Sequence, residues 1–125
     1  MLVKVTRVLS VDLTVYRSHP PYMEIKAVGE VPTLGFTDPQ LIPWIYVQPP
    51  PDGIYDFDLI AKAPSGFVAQ VISKIEACAF LPVPAGLKGV RVHAATNSME
   101  DHWGADREAV AVADGEIPWP LNGSA

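Results

Sequence analysis

Apolar side chains recur at every second position through the first stretch of the chain. Val3, Val5, Leu9, Val11, Leu13 and Val15 hold the odd positions, with Arg7 the one charge among them, and Lys4, Thr6, Ser10, Asp12 and Thr14 are polar alternates. Period two marks a strand with one buried and one wet face. The run outlasts the usual 3–10 residues, so the pattern predicts a bend or bulge near Arg7. A strand that changes sheets at such a bend is common at the corner of a sandwich. After a turn over 18–21, Met23, Ile25, Ala27 and Val31 alternate with Glu24, Lys26, Val28 and Glu30 in a second half-buried strand.

The densest aromatic stretch, residues 43–61, reads as a hairpin. Trp44 to Gln48 is apolar on both faces, as in a strand between layers, and Pro43 marks its start or an edge. Pro49 to Pro51 form a stiff lead into a turn at Pro51-Asp52-Gly53, where proline presets φ and glycine accepts the left-handed conformation. Tyr55, Phe57, Leu59 and Ala61 then face the core, opposite Asp56 and Asp58 on the wet side. Residues 32–39 read as a connection that tucks Leu34 and Phe36 onto the core. Residues 67–81 fit a helix, with Val68, Val71, Ile72, Ile75 and Ala79 on one face, and also a strand, which the β-branched residues favour. Val90, Val92 and Ala94 form a short strand, Asn97 to Asp106 is polar without a period, and Val110 and Val112 offer a weak last strand. The whole predicts one all-β domain over 1–125, an antiparallel β-sandwich with immunoglobulin-like topology. A small β-barrel, or a sandwich with one helix at 67–81, is the alternative.

Composition sharpens this picture in two ways. Only 18% of residues are charged against 49% hydrophobic, where typical domains carry roughly 25% charged. Several strands are apolar on both sides, so we expect a homo-oligomer, most simply a two-fold dimer. Residues 1–96 balance eight basic against eight acidic groups, whereas 97–125 set Arg107 against six acids, so the net −5 resides in an acidic C-terminal segment. With a pI near 5.0 there is no basic footprint for nucleic acid. The alternating N-terminus lacks the apolar core of a signal peptide and no run of about 18 apolar residues exists, so we expect a cytoplasmic protein away from membranes.

Candidate chemistry is sparse. His93, Asp101, His102 and Asp106 supply imidazole and carboxylate groups of the kind that hold a divalent ion, although their spacing matches no defined motif. Asp56 and Asp58 lie about 7 Å apart on one strand face, and could bind a ligand or cation or serve as solvated residues. Trp103 and Trp119 stand in loop and tail contexts where aromatics stack on sugars, anchor partners or cap the sandwich. Cys78, with no histidine placed beside it and Glu76 near, reads as a small core thiol rather than a nucleophile. No phosphate loop, nucleophile elbow or catalytic motif occurs, and we expect no cofactor beyond a possible divalent metal. The sequence therefore favours a non-enzymatic module acting through protein–protein association or ligand binding. Metal-assisted hydrolysis in the 93–106 region, or carbohydrate binding at Trp103 or Trp119, are the alternatives.

Overall fold

The computed structural model describes residues 1–104 and 110–111. It is all-β, with two open sheets packed face to face and no helix among the described residues. The strands are β1 (Leu2–Lys4), β2 (Arg7–Arg17), β3 (Tyr22–Val31), β4 (Thr37–Pro43), β5 (Ile54–Lys62), β6 (Ser73–Pro82), β7 (Gly89–His93), β8 (Ser98–His102) and β9 (Val110–Ala111). One sheet holds β1, β4, β5, β7 and β8, and the other runs β6-β3-β2-β9. No barrel closes. Among the described residues, no helix is long and apolar enough to cross a membrane.

The first apolar run breaks where the sequence places its bend. β1 pairs with β5 in one sheet, and β2 pairs with β3 in the other. Between them Val5 N–H bonds the Leu59 carbonyl and Thr6 N–H bonds the Glu30 carbonyl, so consecutive residues serve opposite sheets. A register shift between Val8 and Ser10 completes the change. The crossing needs Gly29, because a Cβ there would stand 2.6 Å from Val5 Cγ1 and 2.8 Å from Leu59 Cδ2. From there the alternation behaves as expected: Val11, Leu13, Met23, Ile25 and Ala27 of one sheet meet Leu41, Phe57, Leu59, Val90 and Val92 of the other.

Four expectations need correction. The sandwich is not purely antiparallel, since β5 pairs with β7 and β2 with β9 in parallel. Residues 67–81 follow the favoured strand reading rather than the helical alternative, but only in part. Strand geometry begins at Ser73 and pairs residue for residue with β3, which offers Ile75, Ala77 and Ala79 to the core. The hairpin arm before β5 lies earlier than its apolar run suggests: 37–43 forms β4, with an irregularity between Thr37 and Gln40 where Asp38 takes a φ of 51°. Trp44 extends the pairing by one bond, N–H to the Asp56 carbonyl at 2.9 Å. Residues 45–53 then leave the sheet, because the three prolines cannot donate to a ladder. Ile45 and Val47 end up 98% and 101% exposed. Finally, Cys78 is exposed rather than in the core, on the outward side of β6 with Glu76. Burial and then Glu76 push its thiol pKa up.

The turn at the end of this segment is as expected. Gly53 has a φ of +71°, its N–H bonds the Pro50 carbonyl, and its own carbonyl accepts Lys88 N–H. That last bond ties the 44–53 loop to the 83–88 loop, and Val83 N–H to the Pro21 carbonyl brings in the 18–21 turn. Three loops therefore gather at one end of the sandwich.

Candidate functional site

The outward face of β5 was expected to be wet. At Asp56 it is covered instead, while Asp58 and Ile60 are half-buried. Parallel pairing sets Arg91 opposite Asp56 and His93 opposite Asp58, and the 44–53 loop folds over this face. Asp56, only 7% exposed, is the centre. Its Oδ2 accepts the Tyr46 hydroxyl at 2.5 Å, and its Oδ1 accepts Arg91 Nη1 at 3.1 Å and bonds His93 Nε2 at 2.8 Å. Its backbone N–H donates to the same Tyr46 hydroxyl at 2.8 Å. A buried carboxylate is tolerable only when so fully bonded. Burial pushes the Asp56 pKa up, but the bonds from Tyr46, His93 and Arg91 outweigh it and leave the carboxyl below its ordinary range. Burial, followed by the bond to Asp56, pushes the Tyr46 phenol up to about 12.

Trp44 stacks on the His93 ring, centroids 4.7 Å apart and planes within 17°. Arg91 reaches onward from Asp56 to Glu100 at 2.9 Å. Asp58, two residues along, stands 3.4 Å from Lys4 Nζ, and its Oδ1 is buried without a hydrogen bond among the described residues.

Where this loop crosses the gathered end, a pocket of about 290 Å³ opens between the sheets. Met23, Phe57 and Leu81 reach it from the core, and Pro43 at the end of β4 walls it together with Trp44 and Tyr46 of the loop. Tyr55 stands edge-on to Tyr46, centroids 5.5 Å apart, and its hydroxyl donates to the Ala85 carbonyl at 2.6 Å. A shallower hollow of about 340 Å³ shares Trp44, Tyr46 and Tyr55 and adds Val47, Gln48 and Pro49. Both tyrosine hydroxyls and the Asp56 carboxylate at the rim are already bonded. What remains is apolar and aromatic surface.

The other singled-out residues are dispersed. Asp101 Oδ2 accepts the Leu13 N–H at 2.7 Å, which turns it toward β2. His102 Nε2 bonds Glu100 Oε1 at 2.7 Å on the exposed side of β8. His93 is with Asp56, and Asp106 lies outside the described residues. Among the described residues no three His, Cys, Asp or Glu side chains converge as metal ligands would. Trp103 packs against the core and donates its backbone N–H to the Lys88 carbonyl, and Trp119 lies outside the described residues. The Asp56–His93 pair resembles half of an acid–base relay. Among the described residues His93 bonds Asp56 and no serine, threonine or cysteine.

Sequence reasoning passed over Trp44, Tyr46, Tyr55 and Arg91 as site residues. The signal was the aromatic density of 44–55 beside three prolines, which strip a strand of donors and make a loop of it. Asn97 was also missed. Its side-chain amide takes the Val8 N–H at 2.8 Å and donates to the Val8 carbonyl at 2.9 Å, filling the gap at the β2 irregularity. No family model matches the chain, and the comparisons with curated proteins and with solved structures likewise give no match.

Proposed function

We propose that this chain is a non-enzymatic binding module whose pocket takes an uncharged, ring-bearing apolar ligand. One observation carries the reading: three aromatic walls surround an apolar pocket whose rim hydroxyls and carboxylate are already engaged. A charged ligand would lose its water there and gain no partner, whereas a ring gains stacking and burial. The volume suits a single ring or a side chain of that size, near the lower limit for ligand sites. Titration of the labelled protein with indole tests it. Shifts confined to Phe57, Leu81, Val83 and the loop are expected, and Trp44→Ala should abolish them. Shifts scattered over the surface, or none, would overturn the reading. A stoichiometric metal ion in the purified protein would instead favour the metal-assisted hydrolase of the 93–106 region, with His93, Asp101, His102 and Asp106.

A second reading, self-association as a two-fold dimer, is favoured by large apolar side chains left in water at both ends. Ile45 and Val47 stand at one, and Phe67 and Ile72 lie in the 63–72 connection. A mass near 13.5 kDa that persists on concentration in light scattering would exclude it. Immunoglobulin-like topology belongs to the same proposal. A first strand shared between two packed sheets supports it, and the parallel β5–β7 pairing counts against it.

A further inference from the structure

We infer that residues 44–49 form a lid over the pocket, fastened to the sandwich at Asp56 and opened by release of Tyr46. The inference rests on the binding reading above for its purpose, but not for its geometry. Among the described residues, every hydrogen bond of residues 44–49 is with Asp56: Trp44 N–H donates to its carbonyl, and the Tyr46 hydroxyl donates to its carboxylate and accepts from its N–H. The remaining attachments are ring contacts, Trp44 on His93 and Tyr46 against Tyr55. Between these anchors Ile45 and Val47 point wholly into water and hold nothing.

The two ends of the segment are built to move against fixed neighbours. Before it, Pro43 closes β4 in register with Phe57. After it, the turn is firm, since Asp52 Oδ1 accepts Ile54 N–H at 3.0 Å and Gly53 is bonded on both sides. A six-residue arm thus spans two rigid points, hydrogen-bonded to Asp56 and resting its rings on His93 and Tyr55. It supplies Trp44 and Tyr46 to the pocket wall, so lifting it removes one side of the pocket. Segments with few bonds and exposed side chains are those that open without global unfolding.

Asp56 is therefore a positioning residue. Arg91 and His93 hold its carboxylate where Tyr46 can reach it, and Glu100 and Asp52 sit beyond Arg91 at 2.9 and 3.9 Å. The carboxylate of a residue on a central strand fixes the position of a surface arm.

Tyr46→Phe keeps the ring and removes both bonds to Asp56. In the ¹⁵N-labelled full chain, amides of 44–49 should then become mobile on the nanosecond scale while β2 and β3 stay rigid. Exchange of the Trp44 amide with solvent should quicken about ten- to a hundred-fold, the scale of a lost charge-assisted bond. With indole as probe, association and dissociation should both speed up while the equilibrium affinity changes less. An arm that is no more mobile in Tyr46→Phe would overturn the lid. A mobile arm with no indole binding would leave the lid standing and refute the ligand reading. Should the variant not fold, the native protein carries the same test: the Trp44 amide must exchange far faster than those of Leu13 and Ile25. Exchange of all three at one common rate would sink the proposal.

Discussion

Two segments of this molecule have exchanged the roles their sequences suggest. Residues 44–49 are apolar and look like a buried strand, yet they lie over the surface, bonded to Asp56 and with their rings against His93 and Tyr55. Residues 97–102 are polar and acidic and look like a solvated loop, yet Asn97 and Asp101 bond the backbone of β2 at Val8 and Leu13. The difference lies in where backbone groups find partners. Prolines deprive the first segment of donors, so its side chains become the attachment. The second lies beside an irregular stretch of β2, and its short polar side chains replace a missing ladder. Hydropathy reports neither situation, because both are decided by backbone bonding rather than by burial of side chains.

The comparison can be broken most severely at Asn97. Replacing it by Ala leaves the Val8 N–H and carbonyl without partners, and should cost about 2–4 kcal/mol in chemical denaturation. A loss under about 1 kcal/mol would mean that the segment is not a stitch. Gly53→Val comes next, at about 2–3 kcal/mol. The valine would be held at a φ of +71° with its Cβ 2.6 Å from the Gly86 carbonyl, so a neutral result would place the rigid turn elsewhere.

Asp56→Asn should cost about 1.5 kcal/mol and should change how stability responds to acid. The carboxyl is more acidic folded than unfolded, so the stability it contributes is present above the ordinary carboxylate pKa. It is lost as pH falls through the lower folded value. The wild-type curve should therefore steepen below pH ~4 relative to Asp56→Asn. Equal slopes would remove Asp56 from its central position. In alkali the sign reverses. The Tyr46 phenol sits at about 12 when folded against ~10 when free, so its share is intact below pH ~10 and lost toward 12. The smallest effect belongs to Cys78→Ser, expected within ~0.5 kcal/mol by thermal denaturation because the thiol is on the surface. A larger cost would return Cys78 to the core.

The strands that carry strict alternation were readable in the sequence, and so was the bend near Arg7. Arg7 and the length of the run are local signals, and the crossing of β1 into β2 is their direct consequence. The acids Asp56 and Asp58 were placed on the right face, but that face was called wet. Its cover comes from a loop ten residues earlier and from β7, which pairs in parallel after a long connection. Neither pairing leaves a mark on β5 itself. Tyr46 meets Asp56 only because the chain doubles back, and His93 meets it only through the parallel register. Asn97 was invisible for a related reason: an amide that bonds a distant backbone looks, in sequence, like any polar loop residue.

The strand that changes layers also bears on how the chain folds. Val5 and Thr6 are neighbours, yet one completes the first sheet at Leu59 and the other the second at Glu30. Neither sheet can finish its hydrogen bonding while the other is absent. Closing Val5 onto Leu59 means fixing more than fifty residues of chain, and the stitches from Asn97 to Val8 and from Asp101 to Leu13 span 89 and 88 positions. Such loops carry an entropy that must be overcome before the contacts reward it. We expect one sharp, all-or-none transition for both sheets, with no half-formed sandwich, and refolding in milliseconds to seconds rather than microseconds.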